Sequence, residues 1–245
     1  MKKRWIVCSL IIMIALMAVI GTKYVQRNKK SKEVNSGVVF PAEMETIANK
    51  EGDVAVVNNP NSTLVLVNKK RSLPDAYKPK DLVIPNVRFS YKGYDEKKKM
   101  RKEAAAALEE MFQQAEKDRI FLFAVSGFRS FHRQKALHTM YTHQDGQAQT
   151  AMSSAVPGTS EHQTGLAMDI TSQSAKFQLD DSFGNTKEGK WLAQNAHKFG
   201  FIIRYEEEKK HVTGYTYEPW HVRYVGNPHA TYLYENQLTL EEVVK

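Results

Sequence analysis

Apolar residues recur along the chain with different spacings, and each spacing predicts a different kind of element. Over residues 95–118 they recur every three or four positions, which predicts an amphipathic helix. Residues 63–69 and 120–125 are short stretches rich in apolar residues, as in buried strands. A second helix is expected to begin near Ser130, directly after the turn that ends the second of these strands.

Apolar and polar side chains alternate over residues 166–171, which predicts a strand with one apolar face. Asp169 lies on the opposite face of this strand. Gly165 precedes the strand and allows the chain to turn, so that His162 can approach Asp169. Such a pair belongs either to a structural hydrogen-bond network or to a metal site.

A second aromatic and β-branched stretch, residues 215–226, supplies further candidates for the same site. Pro219 indicates a bend or an edge strand, and the bend would allow Glu218 and His221 to share one site. With the preceding pair, His221 completes a set of two histidines and one carboxylate. Three protein ligands and one open position are typical of catalytic zinc, and a neighbouring carboxylate can accept a proton from water. From the residues alone, a metal site and a structural arrangement both remain open.

The N-terminus has a basic start followed by an apolar run over residues 5–21. This run is near the short end of what spans a bilayer, and no small-residue cleavage site follows it. We therefore expect a signal anchor over residues 1–22, a basic polar tether over 23–60 and a folded domain over 61–245. Basic residues flank the run on both sides, so the charges alone leave its orientation open.

The net charge of +8 is concentrated at the N-terminus. Residues 1–33 contain eight basic residues and one acid, 8 − 1 = +7, which leaves +1 for the remainder. The folded domain therefore lacks the positive surface expected of a nucleic-acid-binding protein. With Cys8 as its one cysteine, the chain forms no intrachain disulfide.

Several motifs resemble those of the VanY-type zinc D-alanyl-D-alanine carboxypeptidases, which are LAS-type peptidoglycan peptidases. In chain order they are SGFRSFHRQ (126–134), SEHQTGLAMD (160–169), GFIIRY (200–205) and EPWH (218–221). The resemblance covers residues 75–240, with Phe128 where the family usually has tyrosine. It implies an α+β fold, in which helices flank a small antiparallel sheet and zinc lies in a cleft.

The resemblance also implies hydrolysis of the C-terminal D-alanine from peptidoglycan stem pentapeptides. Glu218 would be the general base, and Arg129 would stabilise the oxyanion. The implied zinc ligands are His162, Asp169 and His221. The implied contacts to the terminal D-alanine are Gln134, Ser160 and Trp220.

Two alternatives share these motifs. The first is an L,D-carboxypeptidase that acts on tetrapeptide stems, and the second is a zinc-containing cell-wall-binding domain without turnover. Glu218 counts against the second, because a binding module has no need of a base. Since peptidoglycan lies outside the membrane, we expect a single-pass membrane protein whose domain faces the cell wall, or a secreted one if the signal is cleaved. The protein is expected to be a monomer.

Overall fold

The computed structural model describes residues 37–51, 53–75, 77–146 and 155–244, and within them the chain forms three β-sheets. The strands are β1 (Ile47–Glu51), β2 (Val54–Val57), β3 (Arg71–Ser72), β4 (Leu82–Val83), β5 (Met100–Arg101), β6 (Leu122–Ser126), β7 (Ala167–Ser172), β8 (Phe201–Tyr205) and β9 (Glu218–Tyr224). The α-helices are α1 (Glu43–Thr46), α2 (Lys102–Lys117), α3 (Phe131–Asp145), α4 (Lys187–Asn195), α5 (Lys210–Thr213), α6 (His229–Asn236) and α7 (Leu240–Val243). Turns of 3₁₀ helix lie at Glu96–Lys98, Glu161–Thr164, Asp181–Asn185, Ala196–Phe199 and Glu207–Lys209.

The central sheet is antiparallel and has the strand order β6-β7-β9-β8. Every residue of the inner strand β7 is buried. One apolar cluster joins this sheet to α2, and it includes Leu108, Met111, Met168 and Val222. The fold is therefore α+β, with small sheets and flanking helices, as the family resemblance implies.

The predicted helix over residues 95–118 is correct at its end and wrong at its beginning. The α-helix begins at Lys102, and a 3₁₀ turn and β5 come before it. Met100 and Arg101 pair with β4 in an antiparallel two-stranded sheet. Tertiary pairing thus replaces the first turns of the helix that the local pattern favours.

The predicted strand over residues 63–69 is wrong. The structure has a turn and an irregular segment there, with an isolated bridge between Asn68 and Arg71. The apolar side chains are buried as expected. However, the carbonyl oxygens of Thr63 and Val65 accept hydrogen bonds from the guanidinium of Arg223, at 2.9 and 2.7 Å.

Residues 40–60, which fall in the predicted tether, contain α1 and the antiparallel pair of β1 and β2. The later strand β3 pairs with β2 in parallel. Phe40–Lys245 forms one compact unit, which therefore begins before residue 61. The predicted signal anchor over residues 1–22 lies outside the described residues. No helix in the described ranges is both long and apolar enough to cross a membrane.

Candidate metal centre

Two neighbouring strands of the central sheet place Asp169 opposite His221. The two residues are register partners of β7 and β9, and Asp169 Oδ1 lies 3.0 Å from His221 Nδ1. Both side chains are buried. The alternation predicted for residues 166–171 is therefore present, and it directs Asp169 away from the apolar cluster that contains Met168.

His162 reaches the same point from the 3₁₀ turn Glu161–Thr164. Gly165 ends this turn with φ +68°, a left-handed conformation that favours glycine, and β7 then begins. His162 Nε2 lies 3.4 Å from Asp169 Oδ2. On the other side of the ring, Nδ1 lies 2.8 Å from the carbonyl oxygen of Gly127.

Gly127 can hold His162 because its backbone packs closely against the segment before α2. A Cβ at this position would lie 2.5 Å from the carbonyl oxygen of Lys99 and 2.8 Å from Met168 Cε. The backbone N–H of Gly127 donates to the carbonyl oxygen of Lys97 at 2.6 Å. A residue with a side chain would therefore displace the carbonyl group that orients His162.

The hydrogen bond of His162 to Gly127 leaves its other ring nitrogen free to face a cation beside Asp169. A carbonyl oxygen only accepts hydrogen bonds, so Nδ1 of His162 carries the proton. Burial lowers the pKa of His162 to about 3, so the ring is neutral and Nε2 presents a lone pair to the Asp169 carboxylate. Two acceptors 3.4 Å apart repel each other unless a cation lies between them.

The spacing of these atoms suits zinc. One possible ligand atom from each of His162, Asp169 and His221 lies within 4.8 Å of the others. Tetrahedral zinc with bonds of about 2.0–2.2 Å separates its ligand atoms by about 3.3–3.6 Å. The Asp169 carboxylate lies 3.4 Å from His162 through Oδ2 and 3.0 Å from His221 through Oδ1, so the two histidines approach the same carboxylate. Two imidazoles and one carboxylate are also the ligand types that zinc accepts when it keeps a fourth position open.

The negative charges around His221 favour its protonated form when no metal competes. Burial opposes the charge, but the hydrogen bond to Asp169 and the nearby carboxylate of Glu161, whose Oε2 lies 3.6 Å from Nε2, outweigh this effect and raise the pKa of His221 to about 9. For Asp169, burial is likewise outweighed by His162 and His221, and its pKa is lowered. A divalent cation would therefore replace a proton at His221 in an already negative site.

Glu218 lies beside His221 because β9 is irregular at this point. Ile203 pairs with Val222 and Tyr205 pairs with Glu218, so β8 advances two residues where β9 advances four. The predicted bend is therefore present, and Glu218 Oε2 lies 3.9 Å from His221 Nδ1. Burial raises the pKa of Glu218 to about 7, which is suited to accepting and releasing a proton near neutral pH.

Arg129 follows β6 and is attached to the site through its backbone and side chain. Its N–H donates to the carbonyl oxygen of His162 at 3.1 Å. Its guanidinium donates to Gln134 Oε1 at 3.0 Å, and Gln134 Nε2 donates to the carbonyl oxygen of Ala155 at 2.6 Å. Burial lowers the pKa of Arg129, which is nevertheless a permanent cation.

The other predicted site residues occupy different surroundings. Ser160 is buried and precedes the 3₁₀ turn of His162. Trp220 is partly buried and packs against the apolar cluster that contains Met168 and Val222. Phe128 is fully buried, with Lys78 Nζ 5.6 Å from its ring centroid.

Sequence reasoning missed a buried ion-pair network next to the metal ligands. Arg204 Nε and Arg223 Nη1 both donate to Glu161 Oε1, at 2.7 and 2.6 Å. Arg204 also donates to both carboxylate oxygens of Glu241, at 2.9 and 2.6 Å. The available signal was an arginine within each of the apolar strands β8 and β9, since a buried charge requires a partner.

A match to a family of known proteins identifies the family, and it contains the three candidate metal ligands together with Glu218, Arg129 and Glu161. The family model VanY, described as D-alanyl-D-alanine carboxypeptidase, matches residues 97–227. This chain belongs to the VanY family. The resemblance noted in its motifs is thus confirmed, and the chain is a VanY-type carboxypeptidase.

Relatives of this VanY-family chain extend beyond the matched region. Putative carboxypeptidase YodJ of Bacillus subtilis (strain 168) is 46% identical over 215 residues, which are 88% of this chain and 79% of the relative. The structure of the LD-carboxypeptidase LdcB, described as revealing the basis of peptidoglycan recognition, is similar with a TM-score of 0.80 and 46% identity. The match covers 85% of this chain and 99% of that one.

A zinc-containing structure is also similar. It is a variant of the vancomycin resistance D,D-pentapeptidase VanY in complex with Zn(II). It matches with a TM-score of 0.60 and 31% identity over 74% of this chain and 98% of that one.

Proposed function

We propose that this chain is a zinc-dependent carboxypeptidase that removes the C-terminal D-alanine of peptidoglycan stem peptides. The observation that carries the proposal is the buried trio His162, Asp169 and His221 with Glu218 Oε2 3.9 Å from His221 Nδ1. A zinc-containing relative of the same family supports the choice of metal. Zinc, when bound by the trio, supplies Lewis acidity to the scissile carbonyl and to the attacking water.

Glu218 is proposed as the general base and then the general acid. The oxygen of the water molecule forms a bond to the carbonyl carbon while Glu218 takes one of its protons. The C–N bond then breaks, and Glu218 returns the proton to the leaving nitrogen, so that free D-alanine departs as an amine. A pKa of about 7 allows both transfers at neutral pH.

Arg129 is proposed to stabilise negative charge on the carbonyl oxygen. Its guanidinium is a fixed donor near Asp169 and Glu218, whose charges both influence it. Gln134 is assigned by family resemblance to the terminal D-alanine. In this structure its amide oxygen accepts a hydrogen bond from Arg129, and its amide nitrogen donates one to the carbonyl oxygen of Ala155. We therefore propose that Gln134 orients Arg129 as well. Ser160 and Trp220 stay proposed contacts to the terminal D-alanine.

For the stem peptide, we place the tetrapeptide first, which makes the reaction an L,D cleavage. The LD-carboxypeptidase LdcB is 46% identical and is matched over 99% of its length, whereas the D,D-pentapeptidase VanY is 31% identical. The pentapeptide, with its terminal D-Ala-D-Ala, is the second candidate. It is supported by the description of the family and by the same D,D-pentapeptidase.

We also propose that residues 1–22 anchor the chain in the cell membrane and that the domain faces the cell wall. The support is the apolar run over residues 5–21 and the extracellular location of peptidoglycan. A monomer suffices for this proposal, because all the proposed site residues come from one chain.

The test is to incubate the zinc-loaded full chain, in detergent, with muropeptides that end in tetrapeptide or in pentapeptide. Release of D-alanine is measured by mass spectrometry, with Glu218→Gln as the control. Release from the tetrapeptide supports the L,D assignment, and release from the pentapeptide alone replaces it with the D,D assignment. No release from either substrate would overturn the proposed activity and favour a binding domain.

A further inference from the structure

Glu161 connects the candidate metal centre to the buried ion pairs. Its side chain is completely enclosed, and its Oε1 accepts hydrogen bonds from both Arg204 and Arg223. Its other oxygen, Oε2, lies 3.6 Å from His221 Nε2. Neither of these two facing atoms has a hydrogen-bond partner among the described residues. Buried polar atoms are normally paired, so this arrangement requires an explanation.

The two ring nitrogens of His221 face different carboxylates. Nδ1 faces Asp169 within the trio, at 3.0 Å, and Nε2 faces Glu161. A neutral imidazole has one proton, and the nitrogen that binds a metal is the one without it. If Nδ1 is the ligand, the proton is on Nε2 and points towards Glu161 Oε2.

We infer that Glu161 is a positioning residue, which accepts a hydrogen bond from His221 Nε2–H and so leaves Nδ1 unprotonated for the metal. This inference rests on the proposed function, because it assumes that the trio binds zinc. It gives Glu161 Oε2 and His221 Nε2 each other as hydrogen-bond partners. Carboxylates that hold metal-binding histidines in this way are common in metalloproteins.

The arginines fix both the charge and the direction of the Glu161 carboxylate. Since Oε1 is held by two guanidinium groups, the carboxylate is prevented from rotating away from His221. Arg204 is held in turn by Glu241, and Arg223 by backbone carbonyl groups, at distances of 2.6–2.9 Å. The network thus has two arginines and two glutamates, and Glu161 stays ionised without leaving an unpaired buried charge.

The substitution Glu161→Gln separates positioning from packing, because it preserves the shape of the side chain. The arginines donate to the Oε1 position, so the amide oxygen would occupy that position and the amide NH₂ would face His221. Nε2 would then accept a hydrogen bond, and the His221 proton would move to Nδ1. Zinc affinity is expected to fall by about 10–100-fold.

The experiment measures zinc affinity of the metal-free full chain in detergent by competition with a colorimetric chelator. Glu241→Gln is the matched control, because it weakens the same network without facing His221. The expected result is a large loss for Glu161→Gln and wild-type affinity for Glu241→Gln. Equal affinity of Glu161→Gln and wild type, or equal losses in both variants, would overturn the positioning role. A wild-type chain that binds no zinc would instead overturn the proposed function.

A second measurement on the wild-type chain does not depend on the folding of a variant. Long-range ¹H–¹⁵N spectra of the zinc-loaded chain report which nitrogen of each histidine is protonated. For His221 we expect a proton on Nε2 that exchanges slowly with solvent, and zinc on Nδ1. Zinc on Nε2, or a proton on Nδ1, would overturn the inference.

Discussion

Asp169 and His221 are direct partners across β7 and β9, with Asp169 Oδ1 3.0 Å from His221 Nδ1. Side chains alternate along a strand, so a shift of one residue in either strand would turn one of the two to the opposite face. Two of the three proposed metal ligands therefore depend on sheet register. The third, His162, depends on the turn that Gly165 ends.

Replacing Glu218 by glutamine should separate metal binding from turnover. The amide preserves the size of the side chain but cannot accept a proton from water, so D-alanine release should fall by about 10²–10⁴-fold. Zinc content should be unchanged, since Glu218 is not among the proposed ligands. Zinc content and D-alanine release are measured on the same preparation, and Glu208→Gln, at an exposed position, is the control. Unchanged turnover would exclude Glu218 as the base.

Replacing Arg129 by methionine should reduce the rate of hydrolysis without loss of metal. Loss of one donor to the developing oxyanion typically reduces kcat by about 10²–10³-fold. The exposed Arg133 on α3 provides a control, because Arg133→Met removes the same charge nearby. Steady-state kinetics of D-alanine release are compared for Arg129→Met and Arg133→Met. Equal effects of the two substitutions would contradict a direct role for Arg129.

Gly127→Ala should weaken both the fold and the metal site. The added methyl group would lie 2.5 Å from the carbonyl oxygen of Lys99, so the backbone must move. Such overpacking typically lowers the free energy of unfolding by about 1–3 kcal/mol. Because the Gly127 carbonyl orients His162, zinc affinity should fall as well. The variant is compared with the wild type by urea unfolding and by zinc titration. If the two proteins gave the same result in both measurements, this explanation would be wrong.

The ion pair of Glu241 should make stability depend on pH in the acid range. Burial alone would raise the pKa of Glu241, but Arg204 and Asn68 outweigh it and hold the pKa below its ordinary value of 4.5. A carboxyl group with a lowered pKa in the folded state stabilises the fold above its ordinary pKa. This contribution is lost as the pH falls through the lowered value.

Glu241→Gln should therefore be less stable than the wild type at pH 7, and the difference should shrink below pH 4.5. The measurement is urea unfolding of both proteins at several pH values, with a chelator present so that metal does not contribute. A difference in the free energy of unfolding that stays constant across this range would contradict the assignment.

The local sequence predicted those parts of the site that depend on local pattern. Alternation over residues 166–171 placed Asp169 on the correct face of β7, and Pro219 indicated the irregularity that brings Glu218 to His221. The position of Gly165 predicted the turn that carries His162. These features are decided within a few residues of chain, and the family motifs supplied their relation to one another.

Features that depend on distant partners were not predicted. Residues 63–69 have the composition of a strand. Two of their carbonyl groups, however, accept hydrogen bonds from the side chain of Arg223, about 160 residues away. The beginning of α2 was also missed, because Met100 and Arg101 pair with β4. The role inferred for Glu161 depends on contacts with β8 and β9, and no local pattern contains them.

We propose above all that His162, Asp169 and His221 bind the zinc that D-alanine release requires. The most direct measurement is to record zinc content and D-alanine release together, for the full chain as purified, after chelation, and after addition of one equivalent of Zn²⁺. We predict one zinc per chain, loss of release on chelation and recovery on addition, with neither metal nor release in Asp169→Ala. Full release by the metal-free chain, or wild-type zinc content and release in Asp169→Ala, would contradict the claim.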